Sequence, residues 1–196
     1  MADRPERSVL RLVLASASPR RSDLLRIAGL DFTVDPADVD ESVAPGEQPI
    51  DYVSRVARAK CLAVAARHRD AVVLAADTTV ALDAEILGKP VDADDAVAML
   101  TRLAAATHAV HTAVAVWSGG VSLTHVATTD VTFGALTAGE IAAYVARGES
   151  FDKAGGYGIQ SAGAMLVERI EGSPTNVVGL PLRETLGLLR AAGCLP

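Results

Sequence analysis

Two arginines stand where a helix start would ordinarily repel them. The segment Ser16-Ala17-Ser18-Pro19-Arg20-Arg21 joins an apolar run, residues 10–15, to a helix expected over 19–28. Ser18 suits the cap, Pro19 the first helical position and Gly29 the stop. The first turn of a helix offers free N–H groups and the positive end of the backbone dipole, so it favours an anion and disfavours cations. Arg20 and Arg21 fit there if they share an anion; the alternative is a plain helix start with two solvated arginines. No GxxxxGK[ST] loop occurs, so the anion site is not of that kind.

Lys60 raises the same question. In a helix expected over 50–68, Val53, Val56, Ala57 and Val64 form one apolar stripe, and Lys60 lies on it. A lysine on a buried face either runs its stem to the edge or meets an anion. Asp77 closes AVVLAAD (71–77), a near-continuous apolar strand of the kind covered on both faces. In open sheets ligands bind beyond the carboxyl ends of parallel strands. A carboxylate there holds a divalent cation, serves as a base, or forms a turn. Thr78 and Thr79 follow with hydroxyls. Asp38, Asp40 and Glu41 are either a solvated acidic loop or the source of a second oxygen ligand. Lys89, in Gly88-Lys89-Pro90, sits on a stiff loop, exposed by default.

The segment Asp152 to Gln160 is glycine-rich. Its glycines permit close backbone approach or tight turns, and the Gln160 amide offers the donor and acceptor that a base edge requires. Gly156-x-Gly158 lacks the third glycine and leading strand of a dinucleotide fingerprint. His108 and His111 are expected on opposite faces of one strand, so they share no metal. No GxSxG elbow occurs.

These residues need a scaffold. Strands are expected at 10–15 and 71–77, and a hairpin turning near Asp83-Ala84. A longer hairpin is joined by Ser118-Gly119-Gly120, and a further strand lies near AMLVERIEG. Helices are expected over 19–28, 50–68, from Asp92, over 138–147 behind the box Thr137-x-x-Glu140, and at the C-terminus. Helices and strands alternate early and a hairpin comes later, which predicts a mixed α/β sheet. Residues 1–9 read as a loose tail and 10–196 as one domain. The net charge of −6 and 4% aromatic content oppose nucleic-acid binding. No apolar run reaches membrane-spanning length. Cys61 and Cys194 are isolated and no leader pattern appears, which points to a cytoplasmic protein.

The pieces LASASPRRSDLL, DVDES, ARAKC, LAADTTV, LGKP, FDKAGGYGIQ and NVVGLPL, in this order, closely resemble the Maf family of nucleotide pyrophosphatases. The resemblance runs over nearly the whole chain beyond the first nine residues. It implies an α/β fold with an elongated, twisted mixed sheet flanked by helices, two lobes and a central cleft, ITPase-like, often as a homodimer. It also implies hydrolysis between the α- and β-phosphates of a nucleoside triphosphate, with Mg²⁺, Mn²⁺ or Co²⁺ as cofactor. By position, Asp77 matches the proton acceptor, and Ser16, Arg20, Arg21, Lys60 and Lys89 match residues on the phosphate side. Glu41 matches an acid of the metal and base region, so Asp77 and Glu41 are the implied metal ligands. Arg20, Thr78 and Gln160 match the type acting on dTTP and UTP, with Thr78 and Gln160 expected at the pyrimidine edge. The type acting on 7-methyl-GTP has a glutamine after the aspartate and an acid in place of Gln160. Ser161 stands where many members carry glycine. The resemblance leaves open modified pyrimidine nucleotides as substrates, and a regulatory role in cell division as the alternative to catalysis.

Overall fold

The computed structural model describes residues 10–195. The expected tail at 1–9 therefore lies outside the described residues. The order of elements is β1 (Leu12–Leu14), α1 (Pro19–Ile27), β2 (Thr33–Val34), α2 (Pro49–Ala65), β3 (Val72–Leu82), β4 (Glu85–Leu87) and α3 (Ala93–Leu103). Then come β5 (Thr107–Ser118), β6 (Val121–Phe133), α4 (Ala138–Val145), two 3-10 turns (Ala154–Gly156 and Ala162–Leu166), β7 (Val167–Glu171), α5 (Pro174–Val178) and α6 (Leu182–Ala191).

One seven-stranded mixed sheet carries all of this, in the order β2-β1-β3-β5-β6-β7 with β4 on β3. β1 pairs in parallel with both β2 and β3, and the remaining pairs are antiparallel. β5 and β6 span 12 and 13 residues, roughly 40 Å at the usual rise per residue, which elongates the sheet. Alternation along β3 sends Val73 and Ala75 to one face, against Val53, Ala57, Cys61 and Val64 of α2. Val72, Leu74 and Ala76 go to the other face, against Leu24 and Leu25 of α1 and Leu189 of α6. A third cluster fills the far end, where Val80, Leu100, Val110, Phe133, Tyr144 and Tyr157 meet.

Local chemistry explains the boundaries. The β3–β4 turn places Asp83 and Ala84 at φ 49° and 67°, the left-handed pair that a two-residue hairpin requires. Asp92 caps α3 by accepting from the Asp95 N–H, and Thr137 and Glu140 form the expected capping box. The strand at 71–77 runs on to Leu82, because Thr78–Ala81 continue the pairing with β5. α5 was not anticipated, yet its signals are plain: Ser173 caps it, Pro174 opens it, and Gly179 ends it at φ 116°.

His108 lies in the far core. Its ring meets Phe133 and Tyr157 edge-on, with centroids 5.0 and 5.3 Å away, and its Nε2 is hydrogen-bonded to the Tyr157 hydroxyl at 2.7 Å. Burial pushes its pKa from 6.5 down to about 4. The folded chain thus refuses a proton that the unfolded chain accepts. The native state keeps its full advantage above pH 6.5 and loses it as pH falls from 6.5 towards about 4. The loss from this group is on the order of 3 kcal/mol. Denaturant titrations between pH 7 and 4 are expected to show a steeper loss in the parent than in His108→Leu; equal slopes would exclude the histidine as the cause.

Candidate active site

β1 stops at Leu14, whereas β3 continues to Leu82. The last parallel pair is Leu14 with Leu74, and β4 takes up that edge again only at Val80. Between these points, residues 75–79 of β3 pair with neither strand on that side. The sheet therefore has a notch just beyond the carboxyl end of β1, where the chain turns to β2 on one side and β3 lies on the other. This is the switch position at which open α/β sheets bind ligands. A cavity of about 1060 Å³ opens there. Because the notch is an edge, side chains from both faces of β3 reach it: Asp77 on the α2 face and Thr78 on the α1 face.

The nine residues that the resemblance matches to the site all line this one cavity: Ser16, Arg20, Arg21, Glu41, Lys60, Asp77, Thr78, Lys89 and Gln160; Asp38 and Asp40 do not. Lys60 settles neither at the solvent edge nor alone. Its Nζ donates to Asp77 Oδ1 at 2.8 Å and contacts Glu41 Oε2 at 2.7 Å. Lys60 and Asp77 side chains are only 10% and 7% exposed, so the charges are held out of bulk water and interact strongly. Burial lifts the Asp77 carboxyl above its ordinary value, while Lys60 and Arg21 oppose the rise. Asp77 Oδ2 is buried and has no hydrogen-bond partner among the described residues.

Glu41 is held by its loop. Tyr52 of α2 donates its hydroxyl to the Glu41 carbonyl at 3.0 Å, and Arg55 ties Ser42 O and the Glu47 carboxylate. Asp40 accepts from the Ser42 N–H at 2.8 Å, which makes it a turn former, and it is Glu41 that reaches Lys60. A hard divalent cation takes oxygen ligands, and Mg²⁺ commonly binds through one or two carboxylates plus substrate phosphates. The unpartnered Asp77 Oδ2 and the Glu41 carboxylate fit such a role. No group of three or more Asp, Glu, His or Cys able to cage an ion occurs among the described residues.

The start of α1 carries no acid in its first turn, and Ser18 makes no side-chain cap. The Ser18 N–H instead turns back to Ser16 Oγ at 3.3 Å. Arg21 reaches under the notch. Its Nε donates to Gly179 O at 2.8 Å, one Nη to Ser16 Oγ at 2.9 Å and the other to Thr78 Oγ1 at 3.2 Å. Burial depresses its pKa and the Asp77 carboxylate counters this; a guanidinium stays charged regardless. Thr78 Oγ1 lies 2.9 Å from Thr112 Oγ1, which donates to Asn176 O at 3.0 Å. Asn176, fully buried, donates in turn to Val110 O and Thr129 Oγ1, both at 2.9 Å. The Thr78 hydroxyl, expected at a pyrimidine edge, lines the cavity and is engaged by the protein: it accepts from Arg21 and faces Thr112.

Arg20 crosses the cavity mouth. Its Nη1 donates to Asp152 Oδ2 at 2.7 Å, joining α1 to the glycine-rich loop. Gly155 in that loop has φ 69°, and its N–H donates to Gly88 O at 2.9 Å beside Lys89. A Cβ there would stand 3.0 Å from the Val80 methyls, so close approach is the reason for glycine. Ser161, by contrast, sits at φ −132°, a conformation that needs no glycine.

A family model described as Maf-like protein matches residues 11–192. The chain belongs to the Maf family. It is 57% identical to a dTTP/UTP pyrophosphatase of Myxococcus xanthus over 93% of this chain and 92% of that one. Identity to a dTTP/UTP pyrophosphatase of Methylobacillus flagellatus is 50%, over 95% and 94%. Among solved structures, a HAM1 protein from Coxiella burnetii aligns at TM-score 0.43 and 15% identity, over 63% of this chain and 73% of that one. Each of the seven Maf segments except NVVGLPL supplies at least one of the nine cavity residues. Here Asn176 and Gly179 of that segment prove to anchor Thr112 and Arg21. The only sequence signal for Asn176 was a polar side chain between a capped proline and an apolar run. Asp152 and Lys153 carry no such signal, since the glycines dominate their segment.

Proposed function

We propose that this Maf protein hydrolyses dTTP and UTP to the monophosphate and pyrophosphate. The observation that carries the reading is the convergence of Arg20, Arg21, Lys60 and Lys89 with the Asp77–Glu41 pair on one cavity. The names of the relatives support the same substrates. A triphosphate carries roughly four negative charges at neutral pH, and such transfers are catalysed mainly by positioning and charge stabilisation.

In this reading Lys60 and Lys89 face the phosphates, with Ser16 and the uncapped start of α1. Arg21 sets the shape of that wall, since three of its N–H groups are already engaged by the protein. Asp77, lifted by burial, takes the proton of the attacking water through Oδ2 as the water adds to the α-phosphorus, and pyrophosphate leaves against the cations. A divalent cation held at Glu41, beside Asp77, would leave Oδ2 to the water and would supply further charge neutralisation at the phosphate oxygens. Gln160 reads the pyrimidine edge. Thr78 acts by fixing Arg21 rather than by touching the base. Cytoplasmic location, a homodimer and one functional unit over 10–196 belong to the same reading. No helix of the described residues is long and apolar enough to cross a membrane.

The test is pyrophosphate release across a panel of standard nucleotides, 5-methyl-UTP, pseudo-UTP and 7-methyl-GTP, coupled to inorganic pyrophosphatase. Turnover of dTTP and UTP at least tenfold above the purines is expected. Comparable turnover of GTP derivatives would end the pyrimidine assignment, and tight salt-sensitive DNA binding without turnover would favour the regulatory alternative.

A further inference from the structure

Asp152 faces the cavity from the glycine-rich loop. Its side chain is 61% exposed. Two cations fix it: Arg20 Nη1 donates to Oδ2 at 2.7 Å and Lys153 Nζ to Oδ1 at 2.6 Å. Lys153 is itself held. Its Nζ donates to Glu149 O at 2.6 Å, and its stem lies across Gly158, where a Cβ would fall 2.7 Å from Lys153 Cε. Partial burial would raise the Asp152 pKa, but the bonds from Lys153 and Arg20 prevail and hold it down to about 2. It is therefore an ionised, acceptor-only group with lone pairs to spare. The flanking cations cancel its repulsion of a polyanion.

A ligand group that bonds Asp152 directly must donate a hydrogen bond, which a phosphate oxygen does not. Arg20 connects Asp152 to the helix start that carries Arg21 and Ser16, and Gln160 lies further along the same loop. In any nucleotide the sugar joins the phosphates to the base. The other carboxylates are less suited: Asp77 and Glu41 hold Lys60, and Glu149 buries Oε2 inside the protein. Resting on the dTTP/UTP reading, we infer that Asp152 accepts a hydrogen bond from the 3′-hydroxyl of the substrate sugar. That hydroxyl is common to both substrates, whereas the 2′-hydroxyl is present only in UTP.

The experiment compares dTTP, 2′,3′-dideoxythymidine triphosphate and N3-methyl-dTTP on the parent, Asp152→Asn and Asp152→Ser, with melting curves as the folding control. In the parent, loss of the 3′-hydroxyl is expected to lower kcat/KM by roughly 10- to 100-fold, the scale of a hydrogen bond to a charged group. In either variant that ratio shrinks to about threefold or less, the signature of a direct pair in a double-mutant cycle. An indifferent parent overturns the assignment on its own, even if both variants fail to fold. A ratio that persists while both substrates slow equally makes Asp152 only a tether for Arg20. A penalty cancelled for the N3-methyl substrate instead moves Asp152 to the base, and also overturns the sugar assignment. If the parent releases no pyrophosphate from dTTP or UTP, it is the underlying function that has failed.

Discussion

Asp77→Asn is expected to lower pyrophosphate release from dTTP and UTP by roughly 10²- to 10⁴-fold, the usual worth of a general base. The substitution keeps the shape of the side chain and leaves one oxygen for Lys60 Nζ, now 2.8 Å from Oδ1. It replaces the free Oδ2, the atom proposed to take the proton, with an amide that cannot accept one. The loss should fall on kcat, with KM changed little if Lys60 and Lys89 still hold the phosphates. Steady-state rates with a thermal melt of the variant check this. Near-parental kcat in a folded Asp77→Asn protein would remove Asp77 from the chemistry.

Lys60→Met should be the more damaging change to the fold. It leaves Asp77, 7% exposed, facing Glu41 with the intervening cation gone. Breaking a buried ion pair from one side commonly costs about 3–5 kcal/mol, because the remaining charge is stranded. Replacing both partners is far cheaper. Asp77→Asn combined with Lys60→Met should therefore recover much of the stability lost in Lys60→Met while remaining inactive. Urea titrations at neutral pH give the cycle. Additive losses in the double variant would show that Lys60 and Asp77 are not energetically coupled, whatever their distance.

Much of the site was legible because its residues violate local expectation. Arginines at a helix start and a lysine on an apolar stripe both conflict with the secondary structure that carries them, and such conflicts mark function. Helix and hairpin ends were legible through Asp92, Thr137 and the Asp83-Ala84 turn, where short-range chemistry decides. What could not be read was the direction of each side chain after folding. Thr78 follows Asp77 directly, yet strand alternation sends it to Arg21 and Thr112 on the opposite face. Asp152 meets Arg20 across 132 positions of sequence, and no local pattern encodes such a pairing. α5 shows no periodic pattern, because five residues are too few for a helical period to emerge.

The notch in the sheet has an evolutionary reading. β1 contributes 3 residues and β3 contributes 11, and the opening exists because those two lengths differ. Exchanging one amino acid for another can retune the rim of this candidate site. It cannot easily close the gap. The event that would erase the site is an insertion that prolongs β1 along its neighbour, so the place of chemistry is written in segment length before it is written in letters.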